Sequence, residues 1–465
     1  MKKSLLIVLS MLLVMGFATT VFAVHAEIPA ETQSVVAKGT TQITIGGAIR
    51  FRGEAKVNTG DFLDDRADNT SAYDGRVRLS VDAKVSDNTT GRIQLETGST
   101  DTSDTYTWGD ASEAKGMYGE GNGKKDELRI LEAWIQTKNL LGTPVSLKIG
   151  HMPLKLGEGL FFNHSKFGDD AIMLFANPTK ELHVALLDAK FTEGTNTNTN
   201  GANTNNNSDD TDAYVGLFAY TGAGFNASGD VTYLNDQNFF VSGSVGKGLQ
   251  LWNFGLRGDT KVANIGLKAD VELQSGESKN AAGTETKLKG YAVLLGADYT
   301  VSDVTLDVGF AIGSGDNNAD DNKIKTFQTA QHGSQKFTYV YDYRTRTAGV
   351  NSPVAANQTG ATDTGIANTT YYKIGASAKP AKDLSARLDL YLLKATKAVS
   401  TSSPYNDKDI GTELDGKVTY KIDKNLVYFI EGGYLWAGDF YKNITANAVN
   451  PDNAYAVRHG VELTF

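Results

Sequence analysis

From Gln42 onward, apolar and polar residues take turns along the chain. In Gln42–Val57 the odd positions are Ile43, Ile45, Gly47, Ile49, Phe51, Gly53, Ala55 and Val57; the even ones include Gln42, Thr44, Arg50, Arg52, Glu54 and Lys56. A helix would scatter those charges around its surface, whereas a strand gathers them on one face. Tyr73–Val85 repeats the pattern, with Tyr73, Val77, Leu79, Val81, Ala83 and Val85 against Asp74, Arg76, Arg78, Ser80, Asp82 and Lys84. Further strands are predicted near 90–98, 127–138, 144–153, 168–177, 180–191, 212–222, 224–236, 251–262, 264–276, 286–300, 303–314, 370–379, 383–396, 409–422, 425–438 and 453–465. With the first two that makes eighteen, with sixteen as the alternative count. In 127–138, Glu132 and Trp134 fall on the same side as Leu128 and Ile130, which points to a bulge. The stretch 237–250 reads either way.

The connections alternate in length. Ser86–Thr89, Ser302-Asp303, Lys379–Lys382 and Asp423–Asn425 are short, while 99–126, 192–211 and 315–369 are long. Strands of about 10–16 residues suit a tilted bilayer crossing. Lipid offers no hydrogen bonds, so a membrane sheet keeps no open edge and the last strand must pair with the first. The expected fold is therefore all-β: a transmembrane antiparallel up-and-down β-barrel with short periplasmic turns and long extracellular loops. An even strand count returns the C-terminus to the periplasmic side.

Both ends of the chain support export. Residues 1–23 carry Lys2 and Lys3, an apolar run from Leu5 to Phe17 and a small-x-small exit at Val21-Phe22-Ala23. They read as a signal peptide cleaved after Ala23, or after Ala26. Residues 24–41 form a periplasmic lead-in and 42–465 the barrel. The chain closes with Tyr455-Ala-Val457-Arg-His459-Gly-Val461-Glu-Leu463-Thr-Phe465, alternating to a terminal Phe. This ending resembles that of bacterial outer-membrane barrels, and it assigns Phe465 to barrel closure.

Composition narrows the classes further. At 465 residues the chain exceeds one soluble core. Gly is abundant (49), Pro scarce (8), and mean hydropathy is −0.30, without the repeated apolar runs of a helical membrane protein. There is no Cys, which removes disulfides, thiolate metal sites and Cys nucleophiles. Losing Lys2 and Lys3 with the signal would take the formal charge from −9 to −11, so nucleic acid is not an expected partner. The tract 192–211 is polar and of low complexity, as in a surface loop.

The lumen face carries the candidate chemistry. A hairpin through 59–70 would bring Arg50 and Arg52 near Arg78 and Arg76, and closure would bring Arg458 alongside Arg50. Five arginines would then share one wall, with Glu54 and Asp74 above them and Glu462 on the closing strand. A basic wall raises local anion concentration and selects by sign. Asp270, Glu272, Asp307, Asp389, Glu413, Asp415 and Glu462 offer an opposed acidic wall. The alternative is that these charges pair with one another and only hydrate the lumen. Tyr73, Trp252, Tyr299, Tyr420, Tyr428, Tyr434, Trp436 and Tyr455 are expected in interfacial girdles. Phe161–Phe167, 99–126 and 315–369 are each candidates to fold inward and narrow the pore.

No G-x-S-x-G elbow, H-E-x-x-H or P-loop is present, so no catalytic site is expected. His25, His151, His164, His183, His332 and His459 are scattered. Asp316–Asn322 is rich in oxygen ligands but lacks the Gly and closing Glu of an EF-hand loop, and neither metal nor cofactor is expected.

Leu147-Lys-Ile-Gly150-His-Met-Pro-Leu-Lys-Leu-Gly157-Glu-Gly-Leu-Phe-Phe, followed by Lys166-Phe-Gly-Asp-Asp-Ala-Ile-Met-Leu, resembles the eighteen-stranded alginate-export barrels. In that family an I-G-R strand precedes a Gly-containing loop and an F-D-A/G-x-x-L strand. Here His151 replaces the Arg and Asp169-Asp170 is shifted. Whole-chain features resemble general porins. The resemblance implies an outer-membrane channel with lipid, small hydrophilic solutes and the assembly machinery as partners, and trimers are common among such porins.

The leading function is thus an outer-membrane porin for passive diffusion of small hydrophilic solutes or ions, with a preference for anions. Its alternatives are a selective barrel for an oligosaccharide or organic anion, and a sheath around a periplasmic electron carrier.

Overall fold

The computed structural model describes residues 34–38, 41–60, 62, 69–98, 106–107, 127–193, 210–236, 240–241, 244–245, 248–279, 284–318, 321–330, 337–342, 365–398, 407–443 and 450–465. Within them eighteen strands form the barrel: β1 Thr41–Val57, β2 Thr70–Lys84, β3 Thr89–Gly98, β4 Glu127–Thr137, β5 Val145–Met152, β6 Asp169–Ala176, β7 Leu182–Thr192, β8 Thr211–Thr221, β9 Phe225–Asp236, β10 Leu249–Val262, β11 Ile265–Lys279, β12 Tyr291–Val301, β13 Val304–Gly313, β14 Thr369–Ala381, β15 Leu384–Ala395, β16 Asp409–Asp423, β17 Leu426–Ala437 and β18 Ala454–Thr464. Each pairs antiparallel with its chain neighbours, and β18 pairs with β1 from Ala48↔Thr464 to Val57↔Tyr455. The barrel is closed, which leaves no spanning strand edge to hydrocarbon.

Strand ends fall close to the alternation in the sequence, and the differences have local causes. β12 starts at Tyr291, not near 286, because Glu285–Leu288 forms a separate short strand against the end of β11 and parallel to Lys323–Ile324. The bulge expected in 127–138 is present: pairing slips between Gln94 and Leu95, and Leu131 and Glu132 are both buried while Ile130 faces out. In the ambiguous 237–250 stretch, Phe240–Val241 pairs with Ser244–Val245 before β10 begins.

The connections at 263–264, 302–303, 382–383 and 424–425 are two-residue turns, with Ala263, Ser302 and Asn425 at positive φ as tight hairpins require. All short turns lie at the end that carries both barrel termini. Ahead of the barrel, Ser34–Lys38 pairs with Thr41–Ile45, on the stretch of β1 edge beyond Phe465. The stretch expected to be a signal peptide, with Ala23 and Ala26, lies outside the described residues, as do His25, His332, nearly all of 99–126 and most of 192–211.

The outer surface is apolar. Phe51, Leu79, Leu186, Leu256, Leu306 and Ile374 are exposed on it. Tyr73, Trp252, Trp436 and Tyr455 form a girdle at the long-loop end, with Tyr299 and Tyr420 at the other; all six are exposed. Tyr428 and Tyr434 are half-buried.

The core is inside the barrel. Strands β6, β7 and β8 are apolar on both faces: Ile172, Leu186 and Phe218 point out, while Met173, Leu187, Val215 and Leu217 are buried inward. A lumen wall that faced water would be polar, so this wall must be covered. Residues 153–168, between β5 and β6, cover it with Leu154, Leu156, Leu160, Phe161 and Phe162, each 2% exposed or less. At about 1.5–3 kcal/mol per buried apolar side chain, these five hold the segment with on the order of 10 kcal/mol of gross burial.

Candidate functional site

This inward segment is a strap across the lumen. It leaves the wall at β5 and reaches β11, where the Glu158 amide donates to Asp270 Oδ2 at 2.9 Å and Lys268 Nζ pairs with Glu158 Oε2 at 2.8 Å. Burial alone would raise the Glu158 carboxyl, but Lys268, with Lys155 and Arg257 beside it, holds it below its ordinary value. The strap's return limb is tied at its root: His164 Nδ1 contacts Asp169 Oδ1 at 2.9 Å and His151 Nε2 contacts the Phe167 carbonyl oxygen at 2.9 Å.

Residues between β13 and β14 also fold inward. Ala330 donates its amide to the Phe161 carbonyl at 3.0 Å, joining this second segment to the strap. Further on, the amides of Val340 and Tyr341 donate to Glu413 at 2.5 and 2.9 Å, and Tyr339 donates to Asp415 at 3.0 Å. Of the three narrowing candidates, two are therefore found inside the barrel.

The predicted arginine wall needs correcting. Arg458 does not lie beside Arg50; in register it faces Glu54 on one side and Glu431 on the other, and it ion-pairs with Glu431. Arg50 faces Arg76 and Glu462. Arg52 binds Asp74 at 2.7 Å, Arg78 binds Glu96 at 2.5 Å, and Arg76 lies 3.7 Å from Glu462. A register offset of two to four residues at the seam thus turns a row of like charges into a ladder. The five arginines are matched by five carboxylates: Glu54, Asp74, Glu96, Glu431 and Glu462. Arg52, Arg76, Arg78 and Arg458 each lie within ion-pair distance of a carboxylate.

Away from the seam the two walls differ. Arg92 pairs with Asp82 at 3.0 Å and approaches Glu132 at 3.4 Å, while Lys148 stands over the Trp134 ring at 4.0 Å. A cavity of about 130 Å³ opens between this wall and the strap, lined by Arg76, Arg78, Arg92, Glu132, Glu462 and Lys166. Its rim has four cations and two carboxylates. Opposite, Asp307 and Asp389 are neutralised by Lys373 and Arg387. Glu413 is fully buried, and among the described residues no ion pair reaches it or Asp415; the amides of 339–341 cover both.

Sequence reasoning missed the strap's dock, although its signal was present. Strands 168–177, 180–191 and 212–222 have no polar face, unlike the rest. In the oxygen-rich stretch, Asp316 accepts amides from Asn318 and Lys325, and Asp321 binds Lys325 at 2.6 Å. No group of three or more His, Asp or Glu among the described residues is placed to hold a metal ion.

A closed eighteen-stranded barrel with a lipid-matched outside and a charged, partly filled lumen is an outer-membrane channel. The alginate export family matches residues 41–454, and the chain belongs to that family. It resides in the bacterial outer membrane and is a channel barrel rather than an enzyme. No curated protein sequence matches it. Among solved structures it is similar to Pseudomonas aeruginosa OccK9 (OpdG), at 12% identity and TM-score 0.56 over 91% of this chain and 98% of that one. It is also similar to Acinetobacter baumannii OccAB4, at 11% identity and TM-score 0.52 over 94% and 99%. Pseudomonas aeruginosa OpdK with vanillate aligns at 10% identity and TM-score 0.50 over 90% and 98%. At these identities the likeness is one of fold.

Proposed function

We propose that the channel is selective and passes small carboxylate-bearing solutes. The observation that carries this reading is the unequal exposure of the two walls. Glu413 and Asp415 are capped by the amides of 339–341, while Arg76, Arg78, Arg92 and Lys166 line a cavity beside the strap. An anion in the lumen therefore meets a cavity lined by three arginines and a lysine, and in a narrow pore such charge selects by sign. The family's name and the vanillate, an aromatic carboxylate, in the OpdK structure agree with that chemistry. The strap and the second segment occupy lumen that a sheathed electron carrier would need, which weighs against that alternative.

Planar-bilayer recording on refolded protein tests the proposal. Under a KCl gradient the reversal potential should show anion preference, and millimolar glucuronate or benzoate should reduce chloride current where a neutral sugar does not. Cation preference, or equal effects of the three solutes, overturns it. Delivery by the outer-membrane assembly machinery through the Phe465 strand and a homotrimeric state belong to the same proposal; cross-linking in membranes tests the latter.

A further inference from the structure

The strap's tip sits on a buried polar patch of the wall that the permeation reading leaves unused. Arg257 on β10 is at its centre. It ion-pairs with Asp230 on β9, reaches Glu272 on β11 at 2.5 Å and lies 3.4 Å from Asp270. Asp270 and Glu272 are fully buried, and Arg257 and Asp230 are 8% and 5% exposed. Three carboxylates around one guanidinium are expensive to bury unless they also accept hydrogen bonds. Here they do: Asp270 accepts the Glu158 amide at 2.9 Å, and Glu272 accepts Asn253 Nδ2 at 2.7 Å.

The patch also holds the second inward segment. Gln274 on β11 donates to Asn253 at 3.2 Å and exchanges a pair of hydrogen bonds with the Gln328 backbone, at 2.8 and 2.7 Å. Gly157 lies flat against Arg257 at φ 52°, and a Cβ there would overlap the guanidinium. Only a glycine lets the strap's backbone come this close.

The geometry points to Arg257 as the positioning residue of the constriction: its carboxylate cluster docks the tip of the strap, and that docking sets the size limit of the pore. Apolar packing fixes the strap's middle over β6–β8, and the tip at Glu158 is tied to the wall by this patch and Lys268. Docking places the tip over β11 and joins it, through Gln274 and the Ala330–Phe161 bond, to the second segment. The two segments narrow the lumen as one body.

The test uses neutral sugars, so its outcome is independent of charge selectivity. In liposome swelling, wild-type protein should admit a monosaccharide and exclude a trisaccharide. Arg257→Met should admit the trisaccharide and raise single-channel conductance on the order of twofold, with added current noise. Gly157→Ala should do the same while every charge is kept, and it keeps the test alive if Arg257→Met does not fold. Arg257→Lys should recover part of the size limit. Arg387→Met, which breaks the Asp307–Asp389 ladder away from the strap, should leave the limit unchanged. Wild-type size limits in both Arg257→Met and Gly157→Ala, with heat-modifiable migration intact, overturn the inference. So does an equal loss of limit in Arg387→Met.

Discussion

Gly47 and Phe465 exchange both of their backbone hydrogen bonds, at 2.8 and 3.0 Å, and so fasten the last residue of the chain to the first strand. A side chain at Gly47 would stand 2.6 Å from the Arg78 carbonyl oxygen and 2.7 Å from the Phe465 ring. The seam is thus closed by a backbone pair and a ring that lies in the space a side chain would fill. Deleting Phe465 removes both bonds, and Gly47→Val displaces the ring. Each should lower the yield of folded barrel severalfold in outer-membrane fractions. Semi-native electrophoresis reads this directly, since folded barrels migrate differently before and after boiling. Normal heat-modifiable migration of both variants would contradict the closing role of this pair.

Changing Arg50, Arg52 and Arg78 together to Gln should shift the reversal potential toward cations. The reason is not loss of a bare basic wall. Arg52 and Arg78 each neutralise a carboxylate, Asp74 and Glu96, so their removal uncovers acid as well as deleting base. The triple variant should therefore turn that stretch of wall acidic rather than merely neutral. Restoring neutrality with Asp74→Asn and Glu96→Gln in the same background should bring part of the anion preference back. An unchanged reversal potential in the triple variant would rule out any role for the seam in selectivity.

Most of the barrel was legible because its two solvents differ. Hydrocarbon outside and water inside impose period two on strands such as β1, and the loops alternate in length because only one end of each hairpin lies on the short-turn side. The side-chain register was not legible. Whether Arg458 meets Arg50 or Glu54 depends on an offset that alternation leaves free in steps of two. The strap was hidden for a different reason: Leu154–Phe162 reads as a loop, and its partners Met173, Leu187 and Val215 are distant in sequence. The signal lay in the missing polar face of β6–β8, which in a barrel can only mean that the lumen side is covered. The pairing of Glu413 with amides of 339–341 had no sequence signal, because backbone donors carry no residue identity.

Those amides make a separate prediction. Glu413→Ala leaves the buried amides of Val340 and Tyr341 without acceptors, at a cost of about 1–3 kcal/mol for each donor. Glu413→Gln keeps one acceptor oxygen and should cost less. The segment should detach from β16 before the barrel unfolds. Limited chymotrypsin digestion should then cut near Tyr339 and Tyr341 in Glu413→Ala, while the barrel still shifts on boiling. Full resistance at these tyrosines would mean that Phe337, stacked on Tyr371, and Tyr341, hydrogen-bonded to Thr369, suffice to hold the segment.

The strap's tip should also respond to acid, and the sign is fixed by the Lys268–Glu158 pair. Lys268 holds the Glu158 carboxyl below its ordinary value of 4.5 although partial desolvation in the lumen pushes it up. A carboxyl depressed in the folded state contributes stability that is present above its unfolded value and is lost as pH falls through the folded one. The pair therefore contributes fully at neutral pH and fades below about pH 4.5. Both side chains are more than a third exposed, so screening keeps the contribution modest and salt-dependent. In bilayers, current noise from the tip should rise as pH is lowered through this window. Lys268→Met removes the same ion pair from the cation's side, so its noise should already be raised at neutral pH and change little with acid. Glu158→Gln should be noisy at every pH, because the ion pair is absent throughout. If all three proteins showed the same acid profile, the response would have to come from another carboxylate and not from this pair.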